Sequence, residues 1–362
     1  MSRWTRSTPN VATIDDVARL AGVSSATVSR VVNGETNVRE ATRKVVAAAI
    51  SELNYVPNLA ARSLASANQL RLGVICSNPS AAYLSAFLLG AMDESTAKGI
   101  ELVVARCDAG DEVSERAAME RLVNSAVSGV LLPASRSDVS TVPSLLREFK
   151  IPTVAIGAGR ASQDFSRVRV DDQVAAREMT EYLLSLGHRR IGFIKGIPNL
   201  QASMARELGF TEAMNAVEGA EASVTQGQFT FESGLSAAER LLDGPSRPTA
   251  IFASNDDMAA AVISVAHRRR IDVPRDLSVV GFDDTQIAVT LWPPLTTVRQ
   301  PFGPMAAKAI EMLSREIRLA RAGGPLETTD EIVPHVRIER RSSAPPFIRA
   351  RPRIRALNAQ AR

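Results

Sequence analysis

Apolar residues recur along this chain with two different periods, and the change of period near residue 70 divides it. Ahead of that point, Ile14, Val17, Ala18 and Ala21 fall at i, i+3, i+4 and i+7, the stripe of a helix with one buried face. Thr13 precedes them as a candidate cap. Asp16, three positions on, can answer it in a capping box that has Asp in place of the usual Glu. Gly22 can turn the chain with positive φ, and Ser24 can cap a second helix. In that helix Val28, Val31 and Val32 point one way while Ser25, Ala26, Ser29 and Arg30 point the other, because residues three and four apart share a face. Val46, Ala49, Ile50 and Leu53 give a third stripe. Three short helices with inward stripes and one polar face fit a helix-turn-helix unit, whose second helix enters the DNA major groove.

Beyond residue 70, short β-branched runs alternate with longer amphipathic stretches. The runs lie at 72–76, 102–105, 129–132, 153–156, 191–194, 250–253 and 278–282. Helical stretches at 86–98, 114–126, 173–186, 205–217, 234–242 and 257–269 separate them. This alternation predicts parallel sheets covered on both faces. Seven such units exceed one comfortable sheet, so two α/β lobes are expected, with ligand bound beyond the carboxyl ends of the strands.

A length of 362 residues agrees with two or three domains. No run reaches the roughly 18 apolar residues that a membrane span requires. The first 30 residues lack a secretory apolar core, so a cytoplasmic protein without membrane partners is expected. Charge is unevenly placed. Residues 1–66 hold eight Lys/Arg and five Asp/Glu, residues 341–362 hold six Arg and no acid, and the intervening segment is net −5. Positive ends can meet phosphate, and Pro345, Pro346 and Pro352 favour a disordered basic tail. Cys76 and Cys107 lack metal-ligand spacing. Neighbouring strands would leave a redox pair open beside the simpler reading of two buried thiols. His188, His267 and His335 are scattered. Neither a phosphate loop nor a nucleophile elbow is found, so no enzyme and no cofactor is expected.

The motifs Thr-Ile-Asp-Asp-Val-Ala (13–18), Ala-Gly-Val-Ser (21–24), Thr-Val-Ser-Arg-Val-Val-Asn (27–33) and Tyr-Val-Pro-Asn-Leu-Ala-Ala-Arg-Ser-Leu (55–64) follow one another with the spacing of one family. Here the chain resembles the LacI/GalR family of bacterial transcription regulators. Leu-Gly-His-Arg-Arg-Ile (186–191), Ala-Ser-Asn-Asp (253–256), Val-Val-Gly-Phe-Asp-Asp (279–284) and Thr-Val-Arg-Gln-Pro (297–301) extend the resemblance to about residue 340.

The resemblance implies an all-α helix-turn-helix DNA-binding domain joined to a two-lobed α/β periplasmic-binding-protein-like domain. The expected organisation is an N-terminal extension (1–12), the DNA-binding domain (13–56), a hinge helix and linker (57–68), an effector-binding and dimerisation domain (69–340) and the tail (341–362). Lobe 1 is expected over about 69–160 and 291–322, and lobe 2 over about 161–290 and 323–340. DNA contacts are expected from Thr13, Ser24, Ser25, Ala26, Thr27, Ser29, Arg30, Asn33 and Tyr55. The hinge would add Asn58, Ala61 and Leu64, with Leu64 as a minor-groove wedge. Ligand contacts are expected from Tyr83, Arg206, Phe229, Asn255, Asp283 and Gln300. Gly157 departs from a family Asp. The implied function is a repressor that binds a pseudo-palindromic double-stranded operator under control of a sugar-like effector. The implied assembly is a homodimer, with a tetramer left open. A solute-binding receptor of the same fold is the alternative, but it would lack the DNA reader.

Overall fold

The computed structural model describes residues 12–32, 38–53, 55, 70–77, 80–108, 110–133, 141–157, 165–244, 246–325 and 327–347. The chain divides into two compact units, residues 1–69 and 70–362.

In the first unit the helices span Ile14–Ala21, Ser25–Val32 and Glu40–Glu52. The capping box forms. The Asp16 amide donates to the Thr13 hydroxyl at 3.3 Å, and the Thr13 amide donates to the Asp16 carboxylate at 2.9 Å. Gly22 follows at φ 65°, the left-handed cap that a residue without Cβ adopts freely. Val17, Ala18, Ala21, Val28, Val46 and Ala49 form the core, with the other predicted stripe residues packed around it. Asn33, Asn58, Ala61 and Leu64 lie outside the described residues, as do residues 1–11 of the expected extension.

The second unit holds two six-stranded sheets. The first contains β1 (Arg71–Cys76), β2 (Glu101–Arg106), β3 (Gly129–Pro133), β4 (Thr153–Ile156), β5 (Ser166–Arg169) and β11 (Asp330–Ile332), in the order β11-β5-β4-β3-β1-β2. All its pairings are parallel. The second contains β6 (Arg190–Lys195), β7 (Glu221–Gln226), β8 (Ala250–Ala253), β9 (Ser278–Asp283), β10 (Thr296–Arg299) and β12 (Val336–Ile338), in the order β12-β10-β9-β8-β6-β7. Only the β10–β12 pairing is antiparallel. The Phe302–Arg321 helix returns to the first sheet, where Leu313 and Ile317 pack so close that a side chain at Gly129 would meet both.

The three crossings between lobes fall later than expected. β5 still belongs to the first sheet and β10 to the second, and the last crossing runs between β11 and β12. Boundaries near 160, 290 and 323 therefore move to about 170, 300 and 334. β5 and β10 are short and rich in Ser, Thr and Arg, so neither shows an apolar run.

The tail also begins later than residue 341. The Ser342 carbonyl accepts from Val279 N–H at 2.7 Å, its hydroxyl accepts from Thr296 N–H at 2.8 Å, and that hydroxyl donates to the Val279 carbonyl at 2.6 Å. Ser343 reaches Tyr182, and the Ala344 carbonyl meets the His188 ring at 2.9 Å. Residues 341–347 are thus bound to the second sheet, which corrects the expected tail boundary. Cys76 ends β1 and Cys107 follows β2, with the Cys107 amide on the Cys76 carbonyl at 3.1 Å. Cys76 packs with Leu72 and Val74, whereas Cys107 packs with Ile75 and Ala105. Both are free, buried thiols, and burial, with Cys107 nearby, pushes the Cys76 thiol up to about 11.

Candidate functional site

The second helix of the first unit presents a small polar face. Ala26, Arg30 and Ser24 are exposed, while Ser25, Thr27 and Ser29 are half-buried. Local needs absorb part of this set. The Ser24 hydroxyl accepts from the Thr27 amide at 3.2 Å, and the Ser25 hydroxyl donates to Asp15 at 2.6 Å, tying the second helix to the first. Thr13 serves as a cap. Tyr55 packs against the three-helix core, and its amide closes on the Ile50 carbonyl at 3.0 Å. Arg30 is the long exposed donor, suited to a bidentate pair with guanine.

In the second unit the expected ligand residues converge, because all but Arg206 lie at or just beyond the carboxyl end of a strand. Phe229 follows β7, Asn255 follows β8, Asp283 ends β9 and Gln300 follows β10. Tyr83 comes from the other lobe, in the first turn of the Ala81–Ala97 helix after β1. Arg206 is delivered differently. Gly209 lets the Gln201–Asn215 helix approach the Asp172–Ser185 helix so closely that a Cβ would lie 2.0 Å from the Gln173 carbonyl oxygen. That approach seats the Arg206 Nε 2.7 Å from Asp172 Oδ1.

Arg206 is the centre of the cluster and only 5% exposed. Besides Asp172 it donates to the Ser254 carbonyl, lies 3.8 Å from Asp283, and stacks with its guanidinium carbon 3.6 Å from the Phe282 ring centroid. The Phe229 ring stands 5.6 Å away on another side. Gln300 Nε2 donates to Asp283 Oδ1 at 2.6 Å. Burial pushes the Asp283 carboxyl up to about 7 against the opposing pull of Arg206 and Gln300. Burial likewise raises Asp172, Asp256 and Asp257. Two buried carboxyl groups, Asp172 and Asp283, therefore flank the Arg206 guanidinium.

Asn255 also serves the fold. Its side-chain oxygen accepts from Met258 N–H and its amide donates to the Phe229 carbonyl, each at 3.0 Å. Both ends of the side chain are engaged within the lobe. Asn255 caps the Asp256–Arg268 helix and holds Phe229 in its left-handed conformation, φ 61°. Tyr83 packs edge-on against Phe302, with ring centroids 5.0 Å apart. Its hydroxyl is buried without a hydrogen-bond partner among the described residues. Burial, with Asp283 and Asp172 nearby, raises that phenol. Gly157 adopts φ 94°, a conformation in which Asp is strained, so the backbone there suits the departure.

Sequence reasoning missed two features. Asp172, the direct partner of Arg206, follows β5, and the Val-Asp-Asp run after that strand was its only signal. Ser80 donates to Asp257 at 2.6 Å and so joins the loop after β1 to the helix after β8, across the two lobes. Among the described residues no group of three or more His, Cys, Asp or Glu could hold a metal ion. No described helix is long and apolar enough to cross a membrane.

Comparison with known proteins follows the same division. Residues 13–58 match the family described as "Bacterial regulatory proteins, lacI family", and residues 180–344 match "Periplasmic binding protein-like domain". The chain is 32% identical to catabolite control protein A of Priestia megaterium, over 91% of this chain and 98% of that one. It is 33% identical to the ribose operon repressor of Escherichia coli, over 85% and 93%. Among solved structures, the regulator CelR in complex with cellobiose is 31% identical with a TM-score of 0.68, and the lac repressor dimer bound to operator and the anti-inducer ONPF is 26% identical with a TM-score of 0.70. Each comparison covers 92% of this chain and all of the other.

Proposed function

The chain belongs to the LacI family of bacterial regulatory proteins, and we propose that it is a transcriptional repressor whose operator affinity is set by a small uncharged polyhydroxylated ligand held between its two lobes. The observation that carries the ligand reading is the convergence of Arg206, Asp283, Gln300, Phe229 and Tyr83 at strand ends around one cluster. Arg206 and Asp283 offer charge-assisted hydrogen bonds to hydroxyls, and Phe229 covers an apolar ring face. Tyr83 supplies a donor from the opposite lobe, and Asn255 acts by holding Phe229. With Asp172 and Asp283 already paired to the Arg206 guanidinium, a phosphorylated or carboxylated ligand finds that positive charge taken, so hydroxyls are the better match. CelR with cellobiose sets the precedent for a sugar.

Ligand that favours one lobe arrangement shifts the population toward it, and the Ser80–Asp257 bridge is a contact that lobe rotation must remake. On the DNA side, Arg30 reads a guanine, and Ala26 can touch a thymine methyl. A dimer of this chain would read two half-sites related by its own symmetry. The protein acts in the cytoplasm and catalyses no reaction. The test is a panel of uncharged sugars and their phosphates, scored by release of a labelled operator selected from random DNA. A response to uncharged sugars supports the reading, and a response confined to the phosphates defeats it.

A further inference from the structure

A second cavity lies at the opposite edge of the first sheet from the cleft just described. Its volume is about 250 Å³, roughly that of eight water molecules. It opens where β4 and β5 begin, at Thr153 and Ser166, beside the last turns of the Phe302–Arg321 helix and the 327–328 segment. Because the sheet is parallel, this is also the edge at which β1 begins, at Arg71.

The floor of the cavity is Glu316, 6% exposed, and its Oε1 has no hydrogen-bond partner among the described residues. Of the neighbouring hydroxyls, Thr153 is engaged elsewhere and Ser166 reaches one side of the carboxyl group. The Thr153 hydroxyl donates to the Ile151 carbonyl at 3.0 Å. The Ser166 side chain accepts from the Thr329 amide at 3.0 Å and meets the same carboxyl group. Burial raises the Glu316 acid against the opposing pull of the Ser166 hydroxyl and the Arg315 charge, while Oε1 keeps no hydrogen-bond partner among the described residues. Leu146, Ile151, Pro152 and Phe165 supply apolar wall. At the mouth stand exposed Arg147 and Lys150, with Glu327. The turn that ends the Val142–Glu148 helix holds the backbone of both bases, with Lys150 N–H on the Arg147 carbonyl at 3.1 Å and Ile151 N–H on the Leu146 carbonyl at 3.2 Å, and the Arg147 guanidinium also donates to the Pro143 carbonyl and the Ser144 hydroxyl, each at 3.3 Å.

A buried acid at the floor, apolar walls and two bases at the mouth are complementary to a molecule that carries a cation at one end and an anion at the other. We propose that this cavity is a second small-molecule site, separate from the cleft, which takes a compact zwitterion with its ammonium group on Glu316 and its carboxylate toward Lys150 and Arg147. An ammonium donor would satisfy the buried Glu316 oxygen that lacks a hydrogen-bond partner.

Calorimetric titration of the full-length protein with three probes tests the proposal: p-aminomethylbenzoate, benzylamine and benzoate. The zwitterion should bind at least tenfold more tightly than either single-charge probe. Glu316→Gln should reduce it to the level of benzoate. Ala320→Trp, which fills the cavity from an exposed turn and leaves Glu316 in place, should abolish binding even if Glu316→Gln proves unstable. Gln300→Ala, in the cleft, should leave it unchanged. The proposal falls if no probe binds at millimolar concentration, which would leave the cavity to water. It also falls if benzoate binds as well as the zwitterion, or if Gln300→Ala removes binding and Ala320→Trp does not.

Discussion

Replacing Asp283 with Asn tests the cleft through stability as well as through binding. Burial holds this carboxyl at about 7, against an ordinary value of 3.8. A folded-state value above the unfolded one means that the native protein keeps a proton which the unfolded chain releases. The stability linked to this group is complete below about pH 4, declines as pH rises toward 7, and is lost above it. An interval of about three pH units at 1.36 kcal/mol each gives a destabilisation of about 4 kcal/mol at pH 8. Asn has the shape of the neutral acid, cannot ionise, and tolerates the φ of 115° at this position. Its amide replaces the acid with about one weaker hydrogen bond. Urea denaturation at pH 8 should therefore find Asp283→Asn more stable than wild type by about 2–4 kcal/mol, with the difference vanishing near pH 4. The same variant should lose effector response at least tenfold, because a charge-assisted contact is gone. A variant no more stable than wild type at pH 8, or a difference that does not change between pH 5 and 8, would refute the reasoning.

Truncation separates the two parts of the C-terminus. Deleting 348–362 should leave urea stability unchanged, while deleting 341–362 should cost about 2–4 kcal/mol, because the buried Val279 and Thr296 amides lose the Ser342 oxygens. Thr13→Ala should destabilise the first unit by about 1 kcal/mol, measured as a lower melting point of its helical signal, through loss of the capping box. Arg30→Ala should weaken operator binding by about 1–3 kcal/mol and relax preference at one base pair, read by selection on randomised DNA, with the effector midpoint unaltered.

Strong periodicity was legible in the chain, and weak periodicity was not. The stripes at 14–21 and 46–53 needed only helical spacing, and the runs at 72–76 and 278–282 stood out because both faces of those strands are buried. β7 reads Glu-Ala-Ser-Val-Thr-Gln, an edge strand with little buried surface, and β5 and β10 carry Ser, Thr and Arg. Strands of that kind are recognised by their ladder partners, which are remote in sequence. Missing β5 and β10 displaced the lobe crossings by about ten residues and hid Asp172. Ser342-Ser343-Ala344 looked like linker because small polar residues give no burial signal, yet their oxygens complete hydrogen bonds of the second sheet. Within the cleft, residue types were readable but partners were not. Asn255 suits a ligand as well as it suits a cap, and only the positions of Met258 and Phe229 show the cap.

Coupling between the cleft and DNA is tested most directly by fluorescence anisotropy of a labelled, selected operator, titrated with an active uncharged sugar. Wild type would be compared with Arg206→Lys, which keeps the buried charge and loses the planar fork that joins Asp172, the Ser254 carbonyl and Asp283. The operator affinity of the sugar-free proteins should agree, and the sugar midpoint of the variant should rise about 10- to 100-fold, the equivalent of about 1.5–3 kcal/mol for a charged hydrogen bond. An unchanged midpoint in a folded Arg206→Lys protein would contradict the account.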